Sequence, residues 1–90
     1  MLSVAPTASP IFTGSISMGR YTNYTIGENS VALGDYVMAL GHGSVALNIG
    51  NVAGSEGSLA INYHNNAMGV ATFVGGIGNY NFGMASYVLG

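Results

Sequence analysis

Glycine returns every seven residues along this chain, and from residue 21 to residue 90 the register is never lost. The seventh position of each block holds Gly27, Gly34, Gly41, Asn48, Ser55, Asn62, Gly69, Gly76, Gly83 and Gly90. Every exception is a small polar residue that suits a tight turn. A fixed internal period of this kind is the signature of a repeat architecture.

The other columns double the period to fourteen. The fourth residue before the block end alternates between Ser30, Ser44, Ser58, Thr72 and Ser86, always a hydroxyl, and Asn23, Val37, Asn51, Asn65 and Asn79. The second residue before the block end is Ala32, Ala39, Ala46, Ala53, Ala60 and Ala67 through the middle blocks, with Thr25 before them and Val74, Asn81 and Val88 after. Two alternating block types imply two different faces, and the alanine column calls for small side chains.

Within a block such as Ser30-Val31-Ala32-Leu33-Gly34 the alternation has period two, so each block reads as a strand of about four residues followed by a turn. Seven is also the coiled-coil repeat, but glycine in most heptads costs roughly 1 kcal/mol apiece in a helix, which excludes that solution. The expectation is an all-β chain, a β-solenoid whose strands pair in parallel with their equivalents fourteen residues on. Five coils spaced by about 4.8 Å make a column roughly 24 Å long.

A coil of two strands is too flat to enclose large side chains from both walls, so alanine and serine should point inward. In the hydroxyl-bearing blocks the outward positions are then Val31, Leu33, Val45, Leu47, Leu59, Ile61, Phe73, Tyr87 and Leu89. At about 25 cal/mol per Å² of apolar surface buried, covering this stripe with copies of itself should contribute more than the small interior does. An obligate homo-oligomer is expected. The opposite face carries Tyr24, Ile26, Met38, Leu40, Val52, Asn66, Met68, Tyr80 and Phe82. It is more mixed, and Tyr24, Met38, Leu40, Met68, Tyr80 and Phe82 are its candidate partner-binding residues.

Asn29 to Gly41, NSVALGDYVMALG, and Gly43 to Leu47, GSVAL, resemble the head repeats of trimeric autotransporter adhesins of the YadA type. The resemblance covers about three quarters of the chain and is clearest from 29 to 61. It implies a left-handed parallel β-roll of about five coils, assembled as a homotrimer with the Val and Leu of SVALG at the trimer core. The chain departs from the pattern at Asn48, Ser55 and Asn62, at Gly54 and Gly75 where large residues are expected, and in losing alanine after Ala67.

Residues 1–20 form a separate N-terminal attachment segment in this reading, since Gly19 falls one residue short of the glycine series, and 21–90 form the roll. Pro6 to Gly14 resembles the PTASPxFTG stretch of bacteriophage tail fibres and other appendages. Two prolines interrupt regular structure there, while Ile11, Phe12 and Ile16 offer a strand that docks under the first coil. Met1 to Pro6 has neither the basic nor the long apolar region of an export signal, and no stretch reaches the roughly 20 apolar residues of a spanning helix. No membrane association is therefore expected.

With 4% charged residues, 49% hydrophobic residues and a net charge of −2, an isolated monomer has little to keep it in solution, so most of its surface should be covered. One arginine and no lysine leave no basic patch for nucleic acid. The absence of cysteine removes disulfide staples.

Glu28, His42 and Glu56 fall fourteen residues apart at one turn position and should stack as a charge ladder at about 4.8 Å. A histidine between two carboxylates is a pH-responsive arrangement, or else a solvated ion-pair ladder. His64 belongs to another column and reads as a turn or rim residue. Asn51, Asn65 and Asn79 also stack, and amide ladders satisfy one another's hydrogen bonds. Tyrosines 21, 24, 63, 80 and 87 are spread over several columns, which suits packing better than a single recognition patch. Gly75-Gly76-Ile77-Gly78 matches no GxGxxG.

No nucleophile–base set, paired acid or metal cluster is present, so the chain reads as a non-enzymatic protein without cofactor. The expected role is a structural and adhesive virion component, a trimeric phage fibre or appendage module on the virion surface. Its expected partners are two further copies, other virion structural proteins, and a host-surface receptor or glycan. The alternative is a head-domain fragment of a bacterial trimeric adhesin on the cell surface. A flat-faced ice-binding solenoid needs an exposed threonine ladder, whereas the hydroxyl ladder here is expected to point inward.

Overall fold

The computed structural model of the protein describes residues 14–20 and 26–90. Ile11, Phe12, Tyr21, Asn23, Tyr24 and Thr25, named above for the docking strand and the outer columns, lie outside the described residues. Nine strands occur in chain order: β1 (Ile16–Arg20), β2 (Val31–Ala39), β3 (Val45–Ile49), β4 (Val52–Ala53), β5 (Leu59–Ala60), β6 (Asn66–Ala67), β7 (Phe73–Gly75), β8 (Tyr80–Asn81) and β9 (Tyr87–Leu89). There is no helix among the described residues.

Every pairing is parallel, and from β2 onward the register is fourteen residues: Val31 beside Val45, Val45 beside Leu59, Leu59 beside Phe73, Phe73 beside Tyr87. These strands make one wall. The second wall pairs Met38 with Val52, Val52 with Asn66 and Asn66 with Tyr80. Strand β2 rounds the corner between the walls and serves both, which is why it is assigned nine residues where a block of four was expected. The result is a parallel β-solenoid of about four turns. The five coils counted from residue 21 include 21–25, which are not among the described residues.

Strand β1 alters the expected boundary. It lies within the segment assigned to the extension, yet it pairs in parallel with β2, Ile16 beside Val31 and Met18 beside Leu33. The offset there is fifteen residues instead of fourteen, which accounts for Gly19 falling outside the glycine series.

The core sits between the walls and is as thin as the residue sizes require. Ala32, Ala39, Ala46, Ala53, Ala60 and Ala67 are at most 1% exposed, and Val37 and Val74 join them. A buried methyl contributes only about 0.8 kcal/mol, so hydrogen bonding carries much of the specificity. The coils are laced by main-chain bonds: the N–H groups of Val31, Val45, Leu59 and Phe73 donate to the carbonyls of Ser44, Ser58, Thr72 and Ser86 at 2.8–3.0 Å.

The hydroxyl column points inward and closes one turn on each coil. Ser30, Ser44, Ser58 and Thr72 donate to the carbonyls of Gly27, Gly41, Ser55 and Gly69 at 2.5, 2.7, 2.7 and 2.9 Å. The last coil solves the same problem differently. Asn81 takes an inward alanine position, and its Oδ1 accepts from Ser86 Oγ at 2.8 Å and from the Gly83 N–H at 2.9 Å. Loss of alanine there therefore leaves no unsatisfied group.

The asparagine column is bonded to the main chain and not amide to amide. Asn65 Nδ2 donates to the carbonyls of Ile61 at 2.6 Å and Gly76 at 2.8 Å, and Asn51 and Asn79 repeat the pattern. The Oδ1 atoms of Asn51 and Asn65 each accept the backbone N–H of the asparagine one coil on.

The glycine column has two physical causes. At Gly34, Asn48, Asn62 and Gly76 the backbone has φ of +134°, +85°, +84° and +103°, so glycine or asparagine is required. Gly41 lies in the other turn, where a Cβ would run into the carbonyl of Ser55 on the next coil. Ser55 itself fits this column because its hydroxyl donates to the Met68 carbonyl.

Candidate interaction faces

The outward positions of the two walls and the two corners that join them form six columns running along the solenoid. On the first wall Val31, Val45, Leu59, Phe73 and Tyr87 lie in one column, and Leu33, Leu47, Ile61, Gly75 and Leu89 in the next. Val31 to Phe73 are half-buried against their own neighbours, whereas Tyr87 and Leu89 are exposed. Phe73 and Tyr87 meet edge to face, with ring centroids 5.4 Å apart. Gly75 makes room for this. Ile61 and Leu89 lean over it, and a Cβ would stand 3.2 Å from Leu89 Cδ2. Phe73 beside Gly75 takes the place of the Val31–Leu33, Val45–Leu47 and Leu59–Ile61 pairs of earlier coils.

The second wall presents Met38, Val52, Asn66 and Tyr80 beside Leu40, Gly54, Met68 and Phe82. Tyr80 and Phe82 stack, with centroids 6.0 Å apart and planes at 26°. The Met68 thioether folds over Gly54, where a Cβ would lie 2.7 Å from its sulfur. This wall is therefore mixed, with a thioether covering Gly54 and an aromatic pair at the far end.

Glu28, His42 and Glu56 do share one corner column, continued by Val70 and Met84. The N–H groups of Gly43, Gly57, Ala71 and Ala85 donate to the carbonyls of Glu28, His42, Glu56 and Val70, all at 2.9 Å. His42 Nδ1 stands 3.6 Å from Glu56 Oε2, and the two side chains are 54% and 69% exposed. That pair is the ion pair found among the described residues; Glu28 contributes none. So exposed a contact is a surface ion pair, worth at most about 1 kcal/mol. Among the described residues no group of three His, Asp or Glu side chains could hold a metal ion.

The opposite corner escaped the sequence reading. Asp35, Ile49, Tyr63 and Ile77 recur there at fourteen residues, with Ile49 bridged to Tyr63 and Tyr63 to Ile77. The spacing alone could have found this column, but its residue types change from acid to aliphatic to aromatic. His64 follows it at the turn, edge-on to Tyr63 at 4.3 Å, with its ring over Gly50.

No known protein family, no curated protein and no solved structure matches this chain.

Proposed function

We propose that the protein is a non-enzymatic structural module, a left-handed β-roll that assembles as a homotrimer and forms part of a bacteriophage fibre or appendage. Three copies pack their first walls around a common axis, with Val31, Leu33, Val45, Leu47, Leu59, Ile61, Phe73, Tyr87 and Leu89 at the interface. The observation that carries this reading is the contrast between inside and outside. The interior is filled by alanine, serine, asparagine and two valines, while larger apolar residues recur in columns along the outer face of the first wall, interrupted only at Gly75. A monomer whose bulkiest apolar groups face water gains most by association.

The resemblance of SVALG to trimeric adhesin repeats supports the number three, and that of residues 6–14 to phage appendage segments supports the virion. The second wall, with Met38, Leu40, Met68, Tyr80 and Phe82, faces away from the axis and is the surface for other virion proteins or a host receptor. The alternative, a bacterial adhesin head, rests on the same SVALG pattern. Antibodies raised against the folded roll separate the two: decoration of purified phage particles in electron micrographs supports the virion reading, and decoration of uninfected bacterial cells overturns it.

A further inference from the structure

At one corner of the roll the turn glycine donates its N–H to the coil that follows. Gly27, Gly41 and Gly69 reach the carbonyls of Ala39, Ala53 and Asn81 in this way, at 2.7, 3.3 and 3.2 Å. The Gly83 N–H turns back into its own coil instead, to Asn81 Oδ1 at 2.9 Å. The hydroxyl column changes partner at the same place. Ser30, Ser44, Ser58 and Thr72 donate to the carbonyl three residues earlier, whereas Ser86 Oγ donates to Asn81 Oδ1 at 2.8 Å. Asn81 Nδ2 closes the network by donating to the Ser86 carbonyl at 3.2 Å. Asn81 pairs with Ala67 in the column that holds Ala39 and Ala53 on earlier coils, and it is 5% exposed.

We propose that the coil of residues 77–90 is a cap, in which Asn81 closes the alanine interior and opposes the stacking of a further coil of this repeat. One reason is the count of donors. In the earlier turns the glycine N–H finds no acceptor within its own coil and is satisfied by the next. At Gly83 the Asn81 side chain has taken that N–H already, as a capping side chain does at the end of a helix. The other reason is the amide itself. Its nitrogen carries two N–H groups and the Ser86 carbonyl accepts one, so the second depends on water. A following coil with alanine in this column would bury that N–H without an acceptor, which costs free energy that the stacking of two alanines does not incur. Solenoids in general need terminal repeats with a polar closing face. Here a single asparagine in the alanine column supplies it. The cap is a property of one chain and does not rest on the number of copies that assemble.

The test joins a second copy of residues 49–62 after Gly90 of the full chain, where it continues the fourteen-residue register. An added coil that stacks would set the N–H of its asparagine on Asn79 Oδ1, as the Asn65 N–H sits on Asn51. Amide hydrogen exchange followed by NMR reads that protection. On the unsubstituted chain the added amides should exchange like those of an unfolded segment. With Asn81→Ala, which restores alanine to the column and releases the Gly83 N–H, they should exchange more slowly by about tenfold or more. Asn81→Val serves as a second variant, since the interior already accepts Val74. Protected amides in residues 49–62 of the roll itself show that each chain is folded. Protection of the added coil on the unsubstituted chain overturns the cap without recourse to any variant. An added coil that stays unprotected on both folded variants overturns the role of Asn81.

Discussion

The backbone N–H of Asn65 donates to the side-chain oxygen of Asn51, one coil earlier, at 2.8 Å. Since the Asn65 Oδ1 in turn accepts the Asn79 N–H at 2.9 Å and its amide nitrogen donates to two carbonyls, this one residue, through backbone and side chain together, ties three coils. Asn65 is fully buried. Replacing it by alanine strands the Asn79 N–H and the Ile61 carbonyl, at about 1–3 kcal/mol per unsatisfied group, and takes one of two donors from the Gly76 carbonyl, which keeps the Tyr63 N–H. Asn65→Ala should therefore lower the unfolding free energy by about 3 kcal/mol or more, read by chemical denaturation. A loss under about 1 kcal/mol would show that water replaces the amide.

A strained corner offers the opposite sign. Ala71 has φ of +57° at a turn position where Gly43 and Gly57 stand on earlier coils. A left-handed residue with a Cβ costs roughly 1–2 kcal/mol, of which glycine gives back part through its freer unfolded chain. Ala71→Gly should stabilise the roll by about 0.5 kcal/mol, and Ala71→Val should destabilise it, both measured as shifts of the denaturation midpoint.

How much of this was legible follows from what each residue type encodes. The solenoid, its fourteen-residue register and the inward alanines and hydroxyls were readable, because period and side-chain size are properties of the sequence itself. The left-handed corners at Tyr36, His64, Ala71 and Ala85 were not, since nothing about those residues announces positive φ; the repeat geometry imposes it. The asparagine column was readable as buried polar, but its acceptors are main-chain carbonyls, which carry no residue signature. A strand docking on the first coil was readable at Ile16, but the parallel pairing of β1 with β2 was not, because a single extra residue takes it off the fourteen-residue register.

The ion pair at the charged corner is expected to matter little to the fold. With His42 and Glu56 both more than half exposed, His42→Gln should change stability near pH 7 by less than about 0.5 kcal/mol. A larger loss in thermal or chemical unfolding would mean that the pair is more than a surface contact.

Association should depend on the first wall. Leu47 lies within its column, between Leu33 and Ile61. Leu47→Asp would place a carboxylate in an apolar contact with no cation to meet it, so the variant should sediment as a monomer. A trimer that survives this change would move the interface to the other wall.

The decisive quantity is the mass of the native protein in solution, measured by light scattering over a hundredfold range of concentration. The proposed trimer has three times the chain mass of 9.1 kDa, with no drift on dilution until the chains separate. A well-folded monomer across that range would contradict it, because the columns of valine and leucine would then be stable in water without a partner.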